Sequence, residues 1–213
     1  NGELQPILEE YKPDIIAVVA YGKLLPEYVL NFPKYGCVNM HASLLPKYRG
    51  AAPVQWAVIN GDEYSGVTTM MMEKGLDTGA MLLSERVKIG EYETSEQLFE
   101  RISALGAEVL CRTIQNIETI KPIPQRDEDH TYAPMLTKEM GKIDWNKDMN
   151  TISKLICGMN SWPLAYAEYN GENVKIIEAY KCGEAVKGKP GEVIEHVKGK
   201  GLLVKCADGG LWL

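Results

Sequence analysis

The chain has 213 residues and a formal charge of −6, with 45% hydrophobic and 24% charged residues, an ordinary composition for a globular protein. No apolar run approaches the ~20 residues of a membrane-spanning helix, and Glu3, Glu9 and Glu10 stand where a secretory leader would carry basic residues. The five cysteines are odd in number, widely spaced and without a C-x-x-C pair, which points to reduced thiols in a cytoplasmic protein and supports neither a zinc site nor a disulfide framework. The acidic balance disfavours a strong nucleic-acid binder, but it is uneven. From Lys142 onward there are 10 Lys and 9 acidic residues, leaving 13 basic and 20 acidic before it, so a phosphate-facing surface fits the second part best.

In chain order, Pro6–Tyr11 reads as the end of a helix with Leu8 on its apolar side. Asp14–Ala20 is a continuous apolar run that suits a parallel strand covered on both faces. Leu24–Leu30 looks helical, with Pro26 near its start. Residues 36–41 form the next strand, Ala51–Asn60 a helix closed by Gly61-Asp62, and Val67–Met72 an apolar strand. Met81–Ile89 reads as an antiparallel strand. Thr94 opens a long helix to about Ile117, with Leu98, Ile102, Leu105, Val109 and Leu110 spaced as one buried stripe. The proline-bearing stretch 121–141 reads as an extended linker. Beyond it, Asp148–Cys157 suits a helix. Five short β runs follow, at Ala165–Tyr169, Val174–Ala179, Gly191–Ile194, Leu202–Cys206 and Leu211–Leu213, and Asn170-Gly171 signals a hairpin. Short strands with glycine turns suggest a small barrel. The expected fold is therefore α/β, part of a Rossmann-like, mostly parallel sheet, followed by a small β-barrel. A doubly wound sheet normally has more strands before its switch point, so the chain is expected to be a fragment clipped at both ends.

The chemistry concentrates in Asn39-Met40-His41-Ala42-Ser43-Leu44-Leu45-Pro46 and, downstream, Gly75-Leu76-Asp77-Thr78-Gly79. Strand side chains alternate, so Cys37, Asn39 and His41 share one face and Val38 and Met40 the other. A polar pair at the carboxyl end of a strand is where open α/β sheets hold ligands. The amide can donate to an oxyanion, the imidazole can move a proton, and Asp77 can orient the histidine or a water. The plainer reading makes Asn39 a turn cap and His41 a structural histidine. No G-x-G-x-x-G or phosphate-loop motif occurs, which argues against dinucleotide and nucleoside-triphosphate chemistry.

The runs HASLLPKYRGAAPVQWAVINGD and GVTTMMMEKGLDTGAML, together with TYAPMLTKEMGKIDW, resemble the formyltransferases that use 10-formyltetrahydrofolate, and within them the methionyl-tRNA formyltransferases. The resemblance covers essentially the whole chain. It implies a catalytic domain over 1–120, a linker over 121–141, and an incomplete OB-like domain over 142–213 that contacts tRNA. It implies Asn39, His41 and Asp77 as catalytic residues, and no metal. It places folate against Ser43, Leu44, Leu45 and Pro46, which otherwise fix a turn and fill core. It also places folate, more weakly, against Lys23, Leu24 and Leu25, which otherwise pack a helix start. The implied partners are 10-formyltetrahydrofolate as co-substrate and initiator methionyl-tRNA as acceptor, with a monomeric state and no membrane. Two other readings stand beside it: a relative acting on a nucleotide-sugar amine or other small amine, and a non-catalytic tRNA-binding module. Lys47 and Arg49 could meet tRNA or the folate tail, or form a solvated basic turn. Trp145 and Trp162 are expected to anchor the second domain.

Overall fold

The structure is a computed structural model that describes residues 2–213, and it separates into two compact units. The first comprises the chain up to Pro53, Tyr64–Val87 and Glu100–Met135; the second comprises Val54–Glu63, Lys88–Phe99 and Leu136–Leu213. The elements run α1 (Gln5–Tyr11), β1 (Ile16–Val18), α2 (Glu27–Leu30), β2 (Cys37–His41), β3 (Arg49–Gly50), α3 (Pro53–Ile59), β4 (Tyr64–Met71), β5 (Met81–Lys88), α4 (Ser95–Gln115) and β6 (Tyr132–Ala133). Then come α5 (Met149–Met159), β7 (Ala165–Tyr169), β8 (Glu172–Ile176), β9 (Tyr180–Lys181), β10 (Val193–Val197), β11 (Gly201–Lys205) and β12 (Gly210–Trp212). Among the described residues no helix is long and apolar enough to cross a membrane.

The first unit is built on a four-stranded sheet of order β1-β2-β4-β5. β1 and β2 are parallel, with Val18 opposite Asn39. β4 runs antiparallel to β2, with His41 opposite Thr68. The α/β class expected from the sequence is borne out, and within this chain the sheet is mixed. The apolar run 14–20 is not evenly covered as expected: Val18 is buried, while Ala17 is exposed and Val19 is 48% exposed. A continuous apolar run does not by itself say which of a strand's faces will be packed. The helix expected from Leu24 begins only at Glu27, because Pro26 takes extended backbone as its N-cap and a proline keeps the residue before it out of helical geometry. Leu24 and Leu25 therefore lie in the preceding loop.

α4 covers one face of the sheet. Leu98, Ile102, Val109 and Thr113 are buried along it, close to the stripe the spacing predicts. Within the first unit, a Cβ on Gly106 would crowd the Met40 side chain at 2.8 Å, so glycine permits this close approach. The Thr113 hydroxyl also shares a 2.7 Å hydrogen bond with Thr69 of β4. The helix thus occupies the Met40 side of β2, and alternation leaves Asn39 and His41 on the opposite side. Residues 121–133 are extended but not loose. Ile123 bridges Met81, and β6 pairs in parallel with β3.

In the second unit, α3 ends as predicted. The Gly61 N–H bonds the Val58 carbonyl at 3.0 Å and the Asp62 N–H bonds the Ala57 carbonyl at 3.1 Å, with Gly61 left-handed at φ 69°; this is the Schellman ending that glycine allows. α5 starts at Asp148, whose carboxylate accepts from the Thr151 N–H at 2.9 Å. α5 buries Ile152, Ile156 and Met159, and a Cβ on Gly158 would overlap Ile59 of α3. β7 and β8 form the hairpin predicted from Asn170-Gly171, both with positive φ of 51° and 82°, as a type I′ turn requires. The remaining strands make an antiparallel sheet of order β10-β11-β12-β9. The two-residue β9 is too short to register as a period. Trp145 is part-buried and lies against Gly191. Trp162 is 56% exposed, which corrects its reading as an anchor.

Candidate active site

The two separated motifs meet in the first unit. Asp77 Oδ2 lies 3.6 Å from His41 Nδ1, with both side chains nearly buried at 11% and 7% exposure. His41 Nε2 lies 2.8 Å from the Tyr48 carbonyl. A carbonyl only accepts, so Nε2 carries a hydrogen and Nδ1 is the nitrogen turned toward Asp77. Asp77 Oδ2 also accepts the Gly50 N–H at 2.8 Å. Asn39, two residues before His41 on the same strand face, is part-exposed, and its amide has no protein hydrogen bond among the described residues.

The Asp77 loop needs its glycines. A Cβ on Gly75 would overlap the Thr78 side chain, and one on Gly79 would overlap the Met71 carbonyl. Asp77 itself is left-handed at φ 55°, a conformation that carries strain for a non-glycine residue. β3 is equally constrained: Gly50 has φ 120°, and a Cβ there would meet the Ala133 carbonyl and the Tyr132 ring, both at 2.7 Å.

Thr68 organises the loop after His41. Its buried hydroxyl donates to the Ser43 carbonyl at 2.8 Å and accepts from the Leu45 N–H and the Ser84 hydroxyl, both at 3.1 Å. The Ser43 hydroxyl is committed to the Lys47 carbonyl at 2.6 Å, and Leu45 is buried. Of the four predicted loop residues, Leu44 and Pro46 remain part-exposed. The other predicted group sits just after β1. Because β1 and β2 are parallel and in register at Val18 and Asn39, this loop lies at the same sheet end as Asn39. Lys23 and Leu24 are exposed there, while Leu25 packs on the Leu8, Val29 and Cys37 cluster.

Arg49 is neither a solvated basic turn nor free for a ligand. It is 6% exposed, its Nε donates to Gln125 Oε1 at 2.9 Å, and its other nitrogens reach Asp127 at 3.1 Å. Lys47 beside it is exposed. Gln125 in turn donates to the Asp77 and Gly79 carbonyls. Sequence reasoning misses Thr68, Gly50 and Gln125 as contributors. Only Thr68 leaves a trace, a hydroxyl inside an apolar run. A cavity of about 330 Å³ lined by Glu27, Leu30 and Met72–Gly75 adjoins the Asp77 loop but contains none of the three catalytic candidates. Among the described residues, no group of His, Cys, Asp and Glu is arranged to hold a metal ion.

The arrangement pairs a free amide donor with a histidine–carboxylate pair on one side of a sheet, which suits stabilising an oxyanion while handling a proton. Comparison with known proteins gives the family. The formyl transferase family model matches residues 1–114, and that of the formyl transferase C-terminal domain matches residues 135–213. The methionyl-tRNA formyltransferase of Caldanaerobacter subterraneus subsp. tengcongensis is 48% identical over 99% of this chain and 68% of its own length. That of Clostridium tetani is 48% identical over 97% of this chain and 67% of its own. The chain thus spans about two thirds of the length of these relatives. Among solved structures, HypX from Aquifex aeolicus in complex with tetrahydrofolic acid is 24% identical with a TM-score of 0.76, covering 97% of this chain and 36% of that one. The sugar 3N-formyl transferase WlaRD is 20% identical with a TM-score of 0.75, covering 93% and 71%. On the two family models and these relatives, the chain belongs to the formyl transferase family.

Proposed function

We propose that this chain carries the reacting groups of an enzyme that moves the formyl group of 10-formyltetrahydrofolate onto the amino group of initiator methionyl-tRNA, in the cytoplasm. The observation that carries this reading is the meeting of His41 with Asp77 at 3.6 Å, beside the uncommitted amide of Asn39. The attacking amine forms a C–N bond to the formyl carbon, and the carbonyl electrons move onto its oxygen. Asn39 Nδ2–H donates to that oxygen, where negative charge develops. The nitrogen that has become cationic loses a proton through the His41–Asp77 pair. The bond to N10 of the folate then breaks, N10 takes a proton, and the carbonyl reforms. No covalent enzyme intermediate is needed.

Folate is assigned to the sheet end that carries Asn39. Leu24, Leu44 and Pro46 offer apolar walls, and a flat heterocycle needs such walls together with a few polar groups. Ser43, Leu45 and Leu25 act there by shaping the loops, and Lys23 is free to meet a carboxylate. The second portion, 142–213, is assigned to tRNA, which its relatively basic composition supports. The 48% identity to named methionyl-tRNA formyltransferases favours that acceptor over the sugar amines of more distant structural neighbours. The test is formyl transfer by the intact gene product from 10-formyltetrahydrofolate to methionyl-tRNA, with dTDP-amino sugars as rival acceptors. Formyl-methionyl-tRNA is the expected product. Formylation of the sugar alone would refute the acceptor, and absence of any folate binding would refute the enzyme reading.

A further inference from the structure

The geometry points to Gln125 as a positioning residue for formyl transfer, one that fixes the catalytic aspartate from both its backbone and its carboxylate side. The inference rests on the active-site reading above. Gln125 Nε2 donates to the Asp77 carbonyl and to the Gly79 carbonyl, each at 2.8 Å. A carboxamide has two N–H donors, and both are spent on this one loop. Its Oε1 accepts from Arg49 Nε at 2.9 Å. The residue after Arg49, Gly50, donates its N–H to Asp77 Oδ2 at 2.8 Å. A ring therefore closes from the Asp77 main chain through Gln125, Arg49 and Gly50 back to the Asp77 carboxylate.

The ring is anchored on its outer side. The buried Arg49 guanidinium holds Asp127 at 3.1 Å, two residues beyond Gln125. The Arg49 N–H bonds the Thr131 carbonyl at 2.9 Å, and the Tyr48 N–H bonds the Thr131 hydroxyl at 2.8 Å. Tyr48 is the residue whose carbonyl receives His41 Nε2–H. One strip of chain, from Gln125 to Thr131, thus supports both partners of the pair. Asp77 needs such support, because its left-handed backbone persists only where surrounding contacts over-determine it. Proton transfer tolerates a displacement of only about 0.5 Å.

Gln125→Glu separates positioning from bulk packing. Glutamate keeps the size of the side chain and the contact with Arg49, but it turns a carboxylate toward two carbonyls in place of two donors. The loop must then withdraw from His41. In the full-length protein, Q125E is expected to lower kcat by roughly 10- to 100-fold. The KM for methionyl-tRNA should stay within about twofold, and the protein should still unfold in one cooperative transition. Because the effect runs through Asp77, Q125E should add less than about threefold in an Asp77→Asn background under single-turnover conditions. Gln125→Met, which removes the donors and also the Arg49 Nε acceptor without adding charge, should lower kcat in the same range and serves if Q125E does not fold. A Q125E kcat within about twofold of the parent, with D77N inactive, would overturn this inference alone. So would a full Q125E loss that persists in the D77N background. A D77N enzyme with near-parental turnover would overturn the active-site assignment and this inference together.

Discussion

Replacing Asp77 by asparagine removes one charge from the site and little else. Asp77 Oδ2 accepts the Gly50 N–H at 2.8 Å, a bond that an asparagine carbonyl oxygen in the same place retains. What is lost is the attraction between a carboxylate and a histidine that becomes cationic as it takes the amine proton. At the 3.6 Å separation observed, and with the effective dielectric of about 20 that suits protein sites, that attraction is at most about 4.6 kcal/mol. Only the part realised in the transition state reaches the rate, so this is a ceiling of roughly 10³-fold, and a loss of about 10²- to 10³-fold in kcat is expected. The KM for methionyl-tRNA should change by less than about threefold, since a loss confined to the transition state leaves ground-state binding alone. Steady-state formylation of methionyl-tRNA by the full-length D77N protein, with thermal unfolding in parallel, makes the measurement. A kcat within about fivefold of the parent, in a protein that melts normally, would refute the argument that the His41–Asp77 pair handles the proton.

Other outcomes are expected from the same structure. Thr68→Val preserves shape but leaves the Leu45 N–H and Ser43 carbonyl without their shared partner, so it should cost about 2–4 kcal/mol in chemical denaturation; a loss under about 0.5 kcal/mol would contradict the role given to Thr68. Asp148→Ala removes the cap of α5 and should cost about 1 kcal/mol near neutral pH. The Thr151 hydroxyl and N–H hold the Asp148 carboxyl below its ordinary value of 3.8. Its contribution is therefore complete above that value and is lost as pH falls through the lowered one, so parent and variant should converge in acid unfolding. In the native protein a thiol reagent should label the exposed Cys111 and the part-exposed Cys182, while Cys37, Cys157 and Cys206 are buried. Burial raises all three thiols, that of Cys206 to about 11, and a thiol reacts as its thiolate. Rapid native labelling of Cys206 would argue against the packing of β11 and β12.

Much of the candidate site's layout is legible in the sequence alone. Asn39 and His41 share a strand face because side-chain alternation is a property of extended backbone, and the glycines of Gly75-Leu76-Asp77-Thr78-Gly79 mark a loop that admits no Cβ at two points. The hairpin at Asn170-Gly171 and the end of α3 at Gly61-Asp62 are equally visible, since each depends on a few adjacent residues with positive-φ demands. The uneven burial of β1 is not legible, because an apolar run records hydrophobicity and not which of a strand's faces will be packed. Arg49 eludes the sequence for a related reason. A basic side chain among turn residues resembles a solvated charge until chain from 76 and 78 positions away arrives with Gln125 and Asp127 to bury it.

The sequence by itself determined the strand face that Asn39 and His41 share and the glycine-bounded loop that carries Asp77, because these follow from backbone periodicity and local steric limits. Only the tertiary structure decided that β4 lies antiparallel to β2, that Thr68 ties down the loop after His41, and that Gln125 holds a loop 48 residues before it. Those contacts depend on the path of the chain, and hydrogen-bond partners far apart in sequence leave no period or spacing from which they can be read.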